Sequence, residues 1–278
     1  MFLQWFPGHM TKAIRMMENE VKLCDGIIYT LDARAPYACL NTTLEPFFKD
    51  KPVVYLLNKA DLSDEVKLKE VVNDFKSKGK NAVVFNATIE KNSQKLYTEI
   101  LNALKEVKER YAKKGVNKPL RVMVSGIPNT GKSTVINLLC GSKKAKTGDK
   151  AGVTKDKQWI KIKDLELLDT PGTTSPSFDN QKNAMFLALI GSINDDILDF
   201  IELSYELIKY LVENYKGRLF EVYKVDETSS VKEIFYQIGK KRGALKKGAE
   251  IDEERTSSII INDLRKGKLG KILFVWKK

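Results

Sequence analysis

A chain of 278 residues with 42% apolar side chains is long enough for one large or two modest domains and can bury a sizeable core. Its formal net charge of +12, with 30% of residues charged, makes the surface basic and favours an anionic partner, nucleic acid or an acidic membrane surface, although a Lys-rich proteome produces the same balance. The cysteines, Cys24, Cys39 and Cys140, have no CxxC spacing and so indicate neither a disulfide framework nor a zinc site.

In chain order, short β-rich apolar runs cover residues 26–31, 52–57, 82–85 and 120–125, with amphipathic stretches around 64–78 and 93–114. This alternation predicts parallel βαβ units with helices on both faces of the sheet. A helical stretch, 134–139, follows, then two further strand candidates, 158–162 and 165–168, separated by a tight turn at Lys163-Asp164. Beyond Pro176 the pattern becomes mostly helical, as in 197–215, where apolar residues recur at three- and four-residue spacing. A boundary near 174–180 therefore divides a domain of residues 1–176 from a smaller one of residues 177–278. No apolar run reaches the ~20 residues needed to cross a bilayer. The opening MFLQWFPGHM lacks the basic-then-apolar pattern of a signal peptide, so a reducing, cytoplasmic compartment is expected.

The segment Gly126-Ile-Pro-Asn129-Thr130-Gly131-Lys132-Ser133 fits GxxxxGK[ST] and lies between an apolar run and a helical stretch that begins with Thr134, the context a P-loop requires. Its backbone N–H groups would wrap phosphates, Lys132 would reach the β- and γ-phosphates, and the Ser133 hydroxyl would bind Mg²⁺. Asn58-Lys59-Ala60-Asp61 ends a strand run, where open α/β sheets bind ligands. A carboxylate at Asp61 accepts from guanine N1–H and the 2-amino group, a pair of donors that adenine lacks. Asp169-Thr-Pro-Gly172 ends the run 165–168; Asp169 would hold the Mg²⁺-bound water and the Gly172 N–H would meet the γ-phosphate. Gly152-Val-Thr154 offers a hydroxyl to complete the Mg²⁺ shell, and Asn86-Ala87-Thr88 stands where a loop supporting guanine belongs.

These motifs fit a GTP site, but their order is circularly permuted: the base-reading elements precede the P-loop. Permutation leaves strand adjacency unchanged, so the same site can assemble. It also attaches the second domain about ten residues after the DxxG switch, so loss of the γ-phosphate could move that domain. Together with the opening Trp5-Phe-Pro-Gly-His9-Met, the box 126–134 and Gly152-Val-Thr, the permuted order resembles the ribosome biogenesis GTPase A family, RbgA or YlqF, over nearly the whole chain. The tail Ile238-Gly-Lys-Lys-Arg-Gly243 and the stretch from Asp263 to Phe274 resemble that family's helical domain. The resemblance implies a cytoplasmic GTPase that assists late assembly of the large ribosomal subunit, with ribosomal RNA as its main partner. A monomer is expected.

Conventional GTPases place a Gln after DxxG to orient water; here Thr173 stands there, unlike the bulky apolar residue usual in the resembled family. The resemblance implies a catalytic role for His9, whose imidazole could orient or deprotonate water near neutral pH; packing of the N-terminal segment is the other reading. In related GTPases an Asn at the position of Asn129 helps bind K⁺, which supplies positive charge where an arginine finger otherwise would; a residue that simply suits a tight turn is the other reading. Basic clusters for RNA phosphates are Lys143, Lys144, Lys146, Lys150, Lys155, Lys157, Lys161 and Lys163; then Lys240, Lys241, Arg242, Lys246 and Lys247; then Arg265, Lys266, Lys268, Lys271, Lys277 and Lys278. Trp159, Tyr236, Phe274 and Trp276 could stack on bases or pack a core. Other readings are a P-loop kinase or ATPase, which NKxD and DTPG oppose; a nucleotide-sensing RNA-binding scaffold with negligible hydrolysis; and a permuted GTPase acting on another RNA.

Overall fold

Every expected apolar run is a strand in the computed structural model, which describes residues 3–89, 93–142, 158–175 and 180–275. The elements are α1 (Gly8–Glu20), β1 (Gly26–Asp32), β2 (Val53–Asn58), α2 (Glu65–Ser77), β3 (Asn81–Val84), α3 (Gln94–Ala103), α4 (Lys105–Lys113), β4 (Leu120–Ser125), α5 (Lys132–Cys140), β5 (Gln158–Ile162) and β6 (Leu165–Asp169). Then follow α6 (Gln181–Leu189), α7 (Phe200–Asn214), α8 (Arg218–Tyr223), α9 (Val231–Lys241) and α10 (Glu253–Arg265).

The strands form one six-stranded sheet in the order β3-β2-β1-β4-β6-β5. All neighbours run parallel except β5, which pairs antiparallel with β6 across the Lys163-Asp164 turn. Side chains alternate across the strands, so each face feeds its own core. Ile27, Tyr29 and Leu31 of β1 pack with Met17 of α1 and Leu68, Val71 and Phe75 of α2. Ile28 of β1 and Val122 and Val124 of β4 pack with Ile100 of α3, Val107 of α4 and Val135 and Ile136 of α5. Helices on both faces are thus observed.

Local chemistry sets the helix ends. Asp64 caps α2, accepting from the N–H groups of Val66 (3.0 Å) and Lys67 (3.2 Å). The periodic stretch from 197 becomes α-helical only at Phe200, after a 3-10 turn at Asp195–Ile197, because Asp199 accepts from Ile201 N and Glu202 N and so caps α7 there. The stretch 93–114 is two helices broken at Leu104, a buried residue seated over Gly26, where a Cβ would come within 2.5 Å of Leu104 Cδ2. Helix α1 has no counterpart among the expected elements; Met10, Ala13 and Met17, at three- and four-residue spacing, are its buried face.

Helices α6–α10 bury Phe186, Leu207, Phe235 and Ile260 in the same core as α1 and α2, so the helical region covers one face of the sheet. Its last segment returns to the loops at the sheet's C-terminal edge. Ile272 N donates to Leu62 O (3.1 Å) and Phe274 N to Arg34 O (2.6 Å). Phe274 is buried and stacks on Phe186, with ring centroids 5.0 Å apart. Truncating this ring leaves a cavity without touching the backbone bond. Phe274→Ala is therefore expected to cost about 3–5 kcal/mol in urea-unfolding stability, read from a lowered midpoint.

Candidate nucleotide site

The P-loop motif occupies the turn between β4 and α5, at the C-terminal edge of the sheet, where ligands of open α/β sheets bind. Gly131 has φ +94°, and a Cβ there would lie 2.3 Å from Asn58 Nδ2. This close approach marks a direct tie: Asn58 Nδ2 donates to Thr130 O (2.8 Å), while Asn58 Oδ1 accepts from Ala87 N (2.9 Å). One buried side chain thus joins the P-loop, the NKAD segment and the Asn86-Ala87-Thr88 loop. Lys59 adds a second tie, donating from Nζ to Asn129 O (2.6 Å).

Base recognition needs unsatisfied polar groups, and two are present. Asp61 Oδ1 and Asn86 Nδ2 are buried and have no hydrogen-bond partner among the described residues. Burying such atoms costs roughly 1–3 kcal/mol each, which a ligand supplying the matching donors and acceptors would recover. Asn86 Oδ1 meanwhile accepts from Thr88 N (3.1 Å) and Thr88 Oγ1 (2.7 Å), shaping the loop.

On the phosphate side, Gly172 of the DTPG turn approaches so closely that a Cβ would lie 2.8 Å from Pro128 Cα and 2.9 Å from Lys132 Nζ. Lys132 Nζ donates to Ile127 O (2.8 Å). Burial pushes its pKa down to about 8, with Asp169 opposing the shift and Lys59 adding to it. Ser133 Oγ donates to Asp169 Oδ2 (3.3 Å). This pair of hard oxygen donors suits Mg²⁺. Among the described residues no cluster of three or more His, Cys, Asp or Glu could hold a metal alone. Thr154, and the basic residues from Lys143 to Lys157, lie outside the described residues.

The segment after DTPG is fastened from two sides. Thr173 is buried, its Oγ1 has no partner among the described residues, and its carbonyl accepts from Asn41 Nδ2 (3.1 Å). Thr174 Oγ1 donates to Trp5 O (3.1 Å), and Leu3 and Gln181 exchange two hydrogen bonds (2.7 and 3.1 Å). The Trp5–His9 motif is thereby held to the switch segment, with His9 exposed in the first turn of α1.

Sequence reading missed a buried ion pair at the site, Asp32 with Arg34. Asp32, at the tip of β1, is bound by Arg34 Nε (2.9 Å), Arg34 Nη2 (2.8 Å) and Lys59 Nζ (3.1 Å), all but Lys59 being fully buried. Burial alone would push the Asp32 pKa up, but Arg34 and Lys59 hold it well below the usual carboxylate range. Its place at a strand tip, like that of Asn58, is the signal that could have found it.

The proposed RNA clusters are unequal. Lys161, Lys163, Lys240, Lys241, Lys246, Lys247 and Lys266 are exposed. Arg242 and Lys268 pair with buried Asp263 (3.3 and 3.2 Å), Lys271 pairs with Glu65, and Arg265 is bound to Asp195 (2.8 Å). Of the candidate stacking rings, Phe274 is core and Tyr236 OH donates to Glu253 (2.8 Å); Trp276 lies outside the described residues.

A P-loop and an NKxD element on this sheet, with the base-side strands β1–β3 first in the chain, define a circularly permuted P-loop GTPase. Residues 121–235 match the model of a 50S ribosome-binding GTPase family. Ribosome biogenesis GTPase A of Bacillus licheniformis is 41% identical across 99% of this chain and 98% of its own length; that of Bacillus cereus is 39% identical across 99% and 94%. The crystal structure of GNP-bound YlqF from T. maritima is 28% identical, with a TM-score of 0.66 over 95% of this chain and 97% of that one. The chain belongs to the ribosome biogenesis GTPase A family.

The folded pKa of Lys132 lies below its ordinary 10.5, so its protonation opposes folding, fully below about pH 8 and progressively less as the pH rises towards 10.5. Lys132→Met is therefore expected to raise the melting temperature of the nucleotide-free protein at pH 7 while weakening nucleotide binding. Paired thermal melts with and without GDP check both effects; a lower melting temperature without nucleotide would contradict the burial argument.

Proposed function

We propose that this chain binds GTP at the junction of the P-loop, NKAD and DTPG segments, hydrolyses it to GDP and phosphate, and uses that cycle to assist assembly of the large ribosomal subunit through contact with ribosomal RNA. The observation that carries the reading is the buried Asp61 oxygen, without a partner among the described residues, in the NKAD segment that Asn58 ties to the P-loop. Asn58, Lys59, Asp61 and the loop of Asn86, Ala87 and Thr88 would hold guanine. Asn129, Thr130, Gly131, Lys132, Ser133, Thr134 and Gly172 would hold the phosphates. Ser133 and Asp169, with Thr154, would hold Mg²⁺, which neutralises phosphate charge when bound; Asn129 is the candidate K⁺ ligand. The division into residues 1–176 and 177–278 assigns nucleotide chemistry to the sheet and RNA contact to the helices. Among the described residues no helix is long and apolar enough to cross a membrane.

Hydrolysis needs a group that positions water, and Thr173, which stands after DTPG where conventional GTPases carry a Gln, is buried and has no amide to do so. His9 is the catalytic candidate: Thr174, next to the switch, binds the N-terminal segment that carries it. The same Thr173 observation favours a second reading, a nucleotide-sensing RNA-binding scaffold with negligible hydrolysis.

Two outcomes are expected. Asp61→Asn replaces an acceptor by an amide that offers a donor, so GDP affinity should fall at least roughly 100-fold and affinity for xanthosine diphosphate should rise, read by fluorescent-nucleotide titration. Single-turnover GTP hydrolysis should be slow alone and faster with large ribosomal subunits, and His9→Ala should slow the stimulated rate roughly 100-fold with GTP affinity retained. No stimulation by large subunits and negligible turnover would select the scaffold.

A further inference from the structure

The helical region reaches the P-loop itself. Asn129 Nδ2 donates to Gly191 O (2.7 Å), although the residues stand 62 apart in the chain. Asn129 has a left-handed backbone (φ +61°) and its own carbonyl is held by Lys59, so its main chain and its side chain are fixed from opposite sides. A carbonyl can only accept, so the end of the amide facing Gly191 must be the nitrogen, and the oxygen is directed elsewhere.

Backbone bonds from Gly191 N to Ala188 O (3.1 Å) and from Ser192 N to Leu187 O (2.8 Å) close the Gly191 turn, and Arg265 packs against it. Gly191 lies in the turn after α6, with φ +79°, and a Cβ there would lie 3.3 Å from Arg265 Nε. Arg265, the last residue of α10, donates from Nη2 to Ala188 O (2.8 Å), which also accepts from Gly191 N (3.1 Å), and from Nε to Leu189 O (3.2 Å), both carbonyls at the end of α6. Asp195 grips the same guanidinium with both oxygens (2.8 Å each). The side chain is 18% exposed, so this cation is committed inside the molecule rather than offered to RNA.

We propose that Arg265 and Gly191 are positioning residues for GTP hydrolysis: Arg265 fixes the Gly191 carbonyl, which fixes the side-chain amide of Asn129 within the P-loop. The proposal rests on the reading that Asn129 serves the phosphate side of the site. It gives the helical region a direct hold on the hydrolytic machinery, independent of the DTPG switch and of guanine recognition.

A double-mutant cycle tests it. Steady-state GTP hydrolysis, its dependence on KCl against NaCl, GDP affinity and the melting temperature would be measured for Arg265→Ala, Asn129→Ala and the double variant. Arg265→Lys, which keeps a charge for Asp195 but loses the fork, replaces Arg265→Ala should that variant not fold. The expected result is a roughly tenfold loss of kcat in Arg265→Ala, GDP affinity within about twofold of the parent, and no further loss when Asn129 is already Ala. Losses that multiply in the double variant, or a lowered melting temperature with unchanged kcat, would overturn the proposal. Equal parental rates in KCl and NaCl would remove the potassium reading alone, and the kcat cycle would still decide the positioning role.

Discussion

Asn58 spends both ends of its side-chain amide on other loops, and the site's architecture follows from that commitment. Its nitrogen binds the Thr130 carbonyl, 72 residues away, and its oxygen accepts from Ala87, 29 residues away. Each bond contributes about 1 kcal/mol net, but losing one partner would strand a buried polar group at a cost of roughly 1–3 kcal/mol. The three loops are therefore locked to one another by contacts that ignore chain order. A permuted GTPase keeps its site for this reason: what holds it is the adjacency of β2, β1 and β4 and a side chain bridging their tips.

Around this joint the molecule tolerates several unfavourable electrostatic arrangements. Asp32 is buried but neutralised by Arg34 and Lys59, which is why its carboxyl stays ionised. Lys132 is buried near Asp169 and still strongly shifted. Asp61 and Asn86 keep buried polar atoms unpartnered among the described residues. These costs sit at the C-terminal edge of the sheet, whereas the two cores beneath are apolar. Destabilising features gathered at one edge are what a ligand site requires.

Strand-forming runs and phosphate- and base-reading motifs were legible because they are local: short continuous apolar runs ending in Gly-rich or Asn-Lys-x-Asp turns carry their meaning within ten residues. What escaped was long-range. Nothing near Leu104 announces that it must seat over Gly26 and break a helix there. Nothing near Gly191 points to Asn129, and Arg265 resembles its basic neighbours until its partners on α6 are seen. Arg34 was within reach, since Asp32-Ala-Arg34 ends a strand run as NKAD does. Helix α1 was also within reach, through its spacing of Met10, Ala13 and Met17.

Among the described residues, hydrogen bonds join the helical region to these loops at Gly191 on the P-loop, Ile272 on Leu62 beside NKAD, and Phe274 on the carbonyl of Arg34. If nucleotide state is transmitted through these contacts, the backbone amides of Ile272 and Phe274 must report it. Hydrogen–deuterium exchange of the segment 266–275, compared between GDP and a non-hydrolysable GTP analogue, measures this directly. Exchange rates that differ between the two states, with unchanged rates in the middle of α9, are expected from coupling; superimposable exchange throughout 266–275 would contradict it.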